Sequence, residues 1–594
     1  MRQGEGEEQA CEQLAKSLRL HPLVSRLLVS RGLHDPDAAQ RFLAPRLTHL
    51  HDPALLPGAV RAAARIVRAV REHQPIVIYG DYDVDGVTAS AILWHVLNAL
   101  KADVHVYIPH RLEEGYGLNT QAVNELCNGR TRDHQGRAIE LGAKPLIVSV
   151  DCGISAVEPA TAARDGGVDL VITDHHEFDA NDLPPAYALV HPRLTESGGG
   201  DPQPYPFGWL CGAGVAFKVA WQVLREHCGS ERLPENHRTL LLDVLSLAAL
   251  GTVADVMPLV DENRVLVRYG LGQIKRTRIE GLAAMIEEAG LHGERISAYH
   301  VGFVLGPRLN ACGRMGHARD AVRLLTEARG AEARDIASFL NQENNRRRET
   351  ERAIFAEARA MVEAAGLDQP HRRAIVLAKE GWHAGVVGIV ASRLVEAFTR
   401  PAILLNIDGD EAHGSARSVD GVSMHRALDV CGEYLRSYGG HAMAAGLRLD
   451  AANIEPFRER FIEHVNGLLS PDDLTGTLDI DASADLSDVS VSLIEQLEQL
   501  APFGRANPSP VFVAGGVTLA QPAQRVGREG SHLSMVLRQN GCTIRGIGFG
   551  LGDLAEVLPC GAEVDIAFRA KISMWQGLRR AELHILDVRF LPSG

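Results

Sequence analysis

Residues 75–86 read PIVIYGDYDVDG, and the apolar stretch TASAILWHVLNAL follows at 88–100. A β-branched run gives way to three aspartates at alternate positions, then to a glycine and a helical pattern. The segment predicts a strand, a loop and a helix. On an extended backbone alternate side chains share a side, so Asp81, Asp83 and Asp85 are expected to point together. Gly86 lets the chain turn at once into the helix. A single aspartate would suffice to cap the helix N-terminus. Three repel one another, by roughly 4 kcal/mol for two charges about 4 Å apart at an effective dielectric near 20. An EF-hand loop also alternates aspartates, but it needs a glutamate at its twelfth position; here that position is Ile92.

The same pattern repeats on either side. VHVYIP (104–109), PLIVSV (145–150), VDLVITD (168–174) and YALVHP (187–192) read as further strands, most of them separated by helical segments. Continuous β-branched runs alternating with helices predict a parallel sheet covered on both faces. In such sheets ligands bind outside the carboxyl ends of the strands. Asp151 directly follows one strand, and Asp174-His175-His176 ends another. Asp255 lies in the mostly apolar ALGTVADVMPL, where an isolated charge is costly. If the strands lie side by side, these carboxylates and imidazoles meet at one end of the sheet. Bare carboxylates do not crowd in that way, so the pattern predicts divalent metal and hydrolytic chemistry on phosphates. Neighbouring histidines on a strand end face opposite sides, so one is free to ligate metal while the other faces substrate.

The chain has 594 residues, too many for one core. No run of 18 apolar residues occurs, and no membrane span is expected. The acidic N-terminus lacks the apolar core of a signal peptide. Nine cysteines without a C-x-x-C pair suggest reduced thiols and a cytoplasmic location. The net charge of −14 runs against a nucleic-acid binder, but metal-site carboxylates contribute to it and bound cations offset them. No G-x-S-x-G element or Walker A sequence is present, and CGAGVAF (211–217) carries only a lone pair of glycines.

Residues 1–55 read as a helical extension and 56–325 as the catalytic α/β domain. A long connecting helix is expected over 326–366, a smaller α/β domain over 367–468, and an all-β, OB-like barrel over 469–594. Its strands begin with GTLDID at 476–481. Arg308, beside Asn310, reads as a loop residue; Arg346-Arg347-Arg348 reads as a solvated helix face. The Gly-rich GGHAMAAG (439–446), with Gly440 and His441, reads as a loop able to bring backbone N–H groups to a phosphate.

Taken together, GDYDVDG, SVDCG, TDHH and GTVADV resemble the DHH phosphoesterase superfamily, and GWHAGVVGIVASR and GGHAMAAG are similar to its associated DHHA1 domain. With GPRLNACGRMG (306–316) and the terminal barrel, the resemblance narrows to the branch of single-strand-specific 5′→3′ exonucleases and covers about residues 20–594. It implies hydrolysis by two divalent cations, Mn²⁺ or Mg²⁺, with no protein nucleophile. Asp83 and Asp151, with Asp81, would hold one ion; Asp85, Asp151, His175 and Asp255 would hold the other. His176 would face the scissile phosphate, and Asp174 would orient a histidine. The chain departs from the superfamily at Asp81, where a histidine upstream is common, and at Cys152, where asparagine is common. For the strand itself the resemblance points to Arg111, Tyr116, Arg308, Asn310, His383, Ser415, Arg417, Gly440 and His441. It further implies roles in DNA recombination and repair, with single-stranded DNA, a single-strand-binding protein and a RecQ-type helicase as partners. The alternative is a phosphodiesterase of the same superfamily acting on short oligonucleotides or other small phosphate substrates. A third reading, a scaffold that has lost its metal ligands, conflicts with the complete ligand set.

Overall fold

A computed structural model of the protein describes residues 5–110, 114–115, 117–132, 136–195, 204–575 and 577–590. Five strands form the expected parallel sheet, in the order Val104–Tyr107, Ile76–Gly80, Leu146–Val150, Leu170–Thr173, Ala188–Val190. Both faces are covered, and the pleat divides the residues between two cores. Ile76, Ile78, Leu146, Val148, Val150 and Val171 join the large cluster under helices Ala59–Arg71, Val84–Ala99, Gly212–Cys228 and Glu235–Ala254. Val77, Tyr79, Ile147, Leu170 and Ile172 face the smaller cluster under Thr120–Cys127 and Val157–Asp165. The chain leaves Ile76–Gly80 for one side of the sheet and returns to the other with Leu146–Val150, so the direction of winding reverses between these two neighbours. Such a reversal opens a crevice at the carboxyl ends of the strands, where Asp81 and Asp151 stand. Helix Glu235–Ala254 is long and apolar enough to cross a membrane by length and composition, but half of that stretch is buried inside the fold.

Helix Gly330–Ala364 links the lobes. Its first turns (Ala333, Ile336, Ala337, Leu340) belong to the core of the first lobe, and its last (Ile354, Ala358, Val362) to a core of the second. The second lobe has a five-stranded mixed sheet, in the order Leu435–Gly440, Ala444–Asp450, Glu411–Arg417, Ala402–Asp408, Ile375–Glu380. GGHAMAAG is not an open loop: its ends belong to two paired antiparallel strands, leaving a tight hairpin turn between them. Arg308 and Asn310 lie on helix Gly306–Met315 rather than in a loop, because the pattern Leu305, Leu309, Cys312 buries one side of the segment.

In the C-terminal portion, strands Phe512–Leu519, Glu563–Trp575, Leu578–Phe590, Cys542–Gly548 and His532–Gln539 pair in succession, and the last pairs back to the first. The ring is the small barrel expected. GTLDID is not a strand; only Ala482–Ser483 just beyond it pairs, alongside Phe512–Val513. The N-terminal helices bury Leu14, Val24, Leu27 and Leu28 in the same core as the barrel.

A buried arginine fastens this composite to the catalytic lobe. Arg264, on helix Asp261–Ile274, donates from Nε to the Phe42 carbonyl at 2.8 Å. Its other nitrogens reach the carbonyls of Leu500 (2.8 Å), Gln499 (3.1 Å) and Ala501 (3.0 Å), which end helix Val491–Glu498. Carbonyls at a helix C-terminus lack partners within the helix and favour a cation. Leaving several of them unpaired costs about 1–3 kcal/mol each. Arg264→Ala is therefore expected to lower the melting temperature and to expose the segment near 499–508 to limited proteolysis. Unchanged cleavage and melting would show that the barrel composite is held to the catalytic lobe by other means.

Candidate metal centre

The aspartate motif both caps a helix and crowds its carboxylates together. Asp83 caps helix Val84–Ala99, its Oδ1 accepting from the amides of Asp85 (2.8 Å) and Gly86 (3.1 Å). Asp81 and Asp85 are buried. Gly86 is required where it stands, since a Cβ there would lie 2.6 Å from the Asp81 carbonyl oxygen. Asp85 reaches across to a second helix: its Oδ2 accepts from Gly212 N at 2.6 Å and its Oδ1 from Ala213 N at 2.8 Å. These amides open helix Gly212–Cys228, so the partial positive charge of its N-terminus faces the carboxylate. CGAGVAF, weak as a phosphate loop, is thus part of the centre. A Cβ on Gly212 would lie 2.4 Å from Asp151 Oδ1, and one on Gly251 would lie 2.5 Å from Asp85 Oδ1. The sequence signal for these glycines was present in CGAGVAF and ALGTVADV, but only the fold says what they make room for.

Asp151 is buried and takes a left-handed backbone with φ +61°. Non-glycine residues at such angles carry about 1–3 kcal/mol of strain, which the surroundings must sustain. Asp255 ends helix Glu235–Ala254, where the helix dipole disfavours an anion. His175 joins the carboxylates: its Nε2 lies 3.1 Å from Asp151, 3.7 Å from Asp85 and 3.7 Å from Asp255. Burial drives its pKa down to about 4, so the ring is neutral and able to ligate. Burial, followed by Asp85 and Asp83, pushes Asp255 up to about 8. Burial and the neighbouring aspartates push Asp151 well above the carboxylate range.

These shifts test whether the donor set suits a cation. As bare anions the carboxylates oppose one another's ionisation; positive charge among them removes the conflict. The geometry agrees. Ligand atoms of Asp81, Asp83 and Asp151 lie within 4.8 Å of one another, as do those of Asp85, His175 and Asp255. Asp151 also belongs to such a group with His175 and His176. Carboxylates with an imidazole suit Mn²⁺, and oxygen ligands suit Mg²⁺.

Asp174 serves the backbone and the second histidine. Its Oδ1 lies 2.7 Å from His176 Nδ1 and accepts from His175 N at 2.7 Å, while its Oδ2 accepts from Ile154 N at 3.0 Å. Against burial, which pulls the other way, the Asp174 bond and charge raise His176 to about 9. Cys152 is turned away from the centre, into the apolar core on the far face of the sheet. His191, which the sequence reading passed over, holds the His176 carbonyl through Nε2 at 2.9 Å.

The residues expected to hold the strand are distributed differently. Arg111 and Tyr116 lie outside the described residues. Asn310 accepts from Val84 N at 3.0 Å, so it steadies the aspartate loop. Arg308 donates to the Val304 carbonyl (2.7 Å) and to Asn341 Oδ1 (3.1 Å). Ser415 and Arg417 share one side of strand Glu411–Arg417 beneath Gly388, where a Cβ would lie 3.1 Å from Arg417 Nη2. His383 caps that same helix, Ala384–Phe398, through Gly385 N at 3.1 Å. Gly440 and His441 are exposed at the hairpin. Of the Arg346-Arg347-Arg348 run, Arg347 is engaged with Glu351 at 3.3 Å.

Comparison with known proteins fits this arrangement. The model of the DHH family, N-terminal domain, matches residues 75–252, that of the DHHA1 domain 371–467, and that of the RecJ OB domain 480–587. The single-stranded-DNA-specific exonuclease RecJ of Bacillus subtilis is 38% identical over 97% of this chain and 69% of its own length. The RecJ of Escherichia coli is 32% identical over 96% of each chain. Among solved structures, RecJ from Thermus thermophilus in complex with Mn²⁺ superposes with a TM-score of 0.78 at 32% identity, covering 98% of this chain and 78% of that one. Its complex with Mg²⁺ gives 0.73 at 30% identity, covering 98% and 77%. A parallel sheet that gathers its acidic and histidine ligands at one switch point, the lobes and barrel around it, and these likenesses lead to one conclusion: this chain belongs to the RecJ family of metal-dependent, single-stranded-DNA-specific exonucleases.

Proposed function

We propose that the protein removes nucleotides from the 5′ ends of single-stranded DNA by two-metal-ion catalysis, in DNA recombination and repair. The observation that carries this reading is the pair of three-ligand groups at one sheet end, with Asp151 within reach of both His175 and the Asp81–Asp83 side. Asp81, Asp83 and Asp151 would hold one ion, and Asp85, Asp151, His175 and Asp255 the other. When bound, the cations supply the Lewis acidity that acidifies a water molecule and offsets charge on the phosphate.

The chain's own groups do the rest. The amides of Gly212 and Ala213 fix Asp85, and Asn310 fixes the loop that bears Asp83. Asp174 fixes the His176 ring through Nδ1, and Nε2 would meet a phosphate oxygen. The imidazolium is the cation of choice there, since a bond between charged partners is about twice as strong as a neutral one. Arg417 and Ser415, beneath the opening turns of helix Ala384–Phe398, supply a forked donor and a hydroxyl for a terminal 5′ phosphate, and His383 stands at the mouth of that helix. Arg111, Tyr116, Arg308, Gly440 and His441 belong to the same reading as contacts to the strand behind it. The nine cysteines are all free, which suits the reducing cytoplasm. A single-strand-binding protein and a RecQ-type helicase are its expected partners, since an enzyme confined to single strands depends on others to open and present them.

Asp151→Ala is expected to abolish Mn²⁺ uptake in calorimetry and to lower kcat on single-stranded DNA by at least about 10³-fold, in line with the large share of the rate that bound metal supplies. Retained turnover in the folded variant would refute metal catalysis at this centre. Gly212→Ala tests the crowding directly: its methyl group must displace the Asp151 carboxylate, so metal affinity is expected to fall while helical circular dichroism persists. Polarity follows from strands blocked at one end. A 5′ block is expected to stop degradation and a 3′ block to leave it unaffected; the reverse outcome would overturn the assigned direction.

A further inference from the structure

Beside the centre, on the side of Asp255, two large rings are exposed. Tyr299 and Phe303 are 64% and 72% exposed, and their rings stack on each other at 5.0 Å with an interplanar angle of 28°. Val256, the residue after Asp255, is exposed as well and holds a left-handed backbone with φ +54°. The segment bearing the two rings is seated on the metal-ligand helix: Gly302 lies against Val253, and Gly306 against Ala254. Ala298 shares a small buried cluster with Leu259. Leu259 in turn meets the C-terminal portion of the chain. Its N–H donates to the Arg505 carbonyl at 2.9 Å, and a Cβ on Gly504 would lie 2.7 Å from its Cδ1. Leu259, four residues beyond a metal ligand, thus meets both the residue before Tyr299 and the segment carrying the exposed Arg505.

Two stacked rings held in the open beside a cation suit a ligand with flat faces. A single strand exposes apolar base faces along an anionic backbone, and surfaces that bind it without sequence preference pair aromatic platforms with cations. This surface carries both, and it adjoins the centre where the strand is cut. We propose that Tyr299 and Phe303 form a stacking platform for nucleobases of the bound strand beyond the cleavage point, with Arg505, supplied by the C-terminal portion, holding the adjoining backbone phosphate. The proposal rests on the nuclease reading above and adds to it a subsite. The pair Tyr299/Phe303 is spaced i, i+4 on a helical segment, so both rings project from one face, and their outer faces remain open to a base.

The test uses the full-length protein with Mn²⁺ and two substrates, a trinucleotide and a long oligothymidylate. Affinity is measured on a hydrolysis-resistant phosphorothioate strand. Replacing both rings (Tyr299→Ala with Phe303→Ala) is expected to raise KM and Kd for the long strand about tenfold, a loss of the size that stacking of a base on an aromatic produces. The kcat, the trinucleotide kinetics and the melting temperature should not change, since both rings are exposed. On a strand with abasic sites beyond its first nucleotides, wild type and double variant should bind alike. Tyr299→Phe with Phe303→Tyr should restore wild-type behaviour. Arg505→Ala should weaken normal and abasic strands equally and flatten the salt dependence of binding. A double variant with wild-type affinity for the long strand, or one that still differs from wild type on abasic DNA, would overturn the platform. Failure of the wild-type enzyme to degrade either substrate would instead refute the nuclease reading on which it stands.

Discussion

Mutual repulsion among buried carboxylates is the constraint that shapes the catalytic lobe. Asp81, Asp85 and Asp151 are almost wholly withdrawn from water, and Asp83 and Asp255 are partly so. No arrangement of neutral packing stabilises such a set. The fold answers in three ways. Two helix N-termini, those of Val84–Ala99 and Gly212–Cys228, aim amides at Asp83 and Asp85. Glycines at 86, 212 and 251 let backbone and carboxylates approach closer than any side chain permits. The carboxylates that remain lie where divalent cations would offset their charge.

The histidine pair shows how one strand end sets two histidine pKa values in opposite directions. His175 is buried among carboxylates and held neutral, a donor of a lone pair. His176 is bonded to Asp174, which raises it to about 9. Deeper burial lowers His175, while Asp174, which bonds both backbone amides but only the His176 ring, raises His176. Burial and hydrogen bonding thus move two identical side chains in opposite directions.

Much of this was legible before the fold was known, because the governing signals are local. A β-branched run followed by alternating aspartates and a glycine has few other structural solutions, and parallel strands put such loops at one edge. The readings that failed depended on tertiary context. GGHAMAAG has the composition of a loop, yet strand pairing on both sides draws its ends into a sheet. Arg308 and Asn310 sit among glycines, but the apolar spacing around them proved helical, and the Asn310 amide serves the aspartate loop. The packing of N-terminal helices into the C-terminal barrel joins residues far apart in sequence and has no signature in either segment.

That last packing has a functional consequence. The barrel and the N-terminal helices form one body, and Arg264 and the Leu259–Arg505 contact bind it to the segment that carries Asp255. The C-terminal portion is therefore not a tethered accessory that captures DNA at a distance. It is registered against the metal centre by hydrogen bonds to backbone carbonyls, which fix position more tightly than a flexible linker does. The same contact makes the position of Asp255 dependent on the docking of a domain that lies hundreds of residues further along the chain.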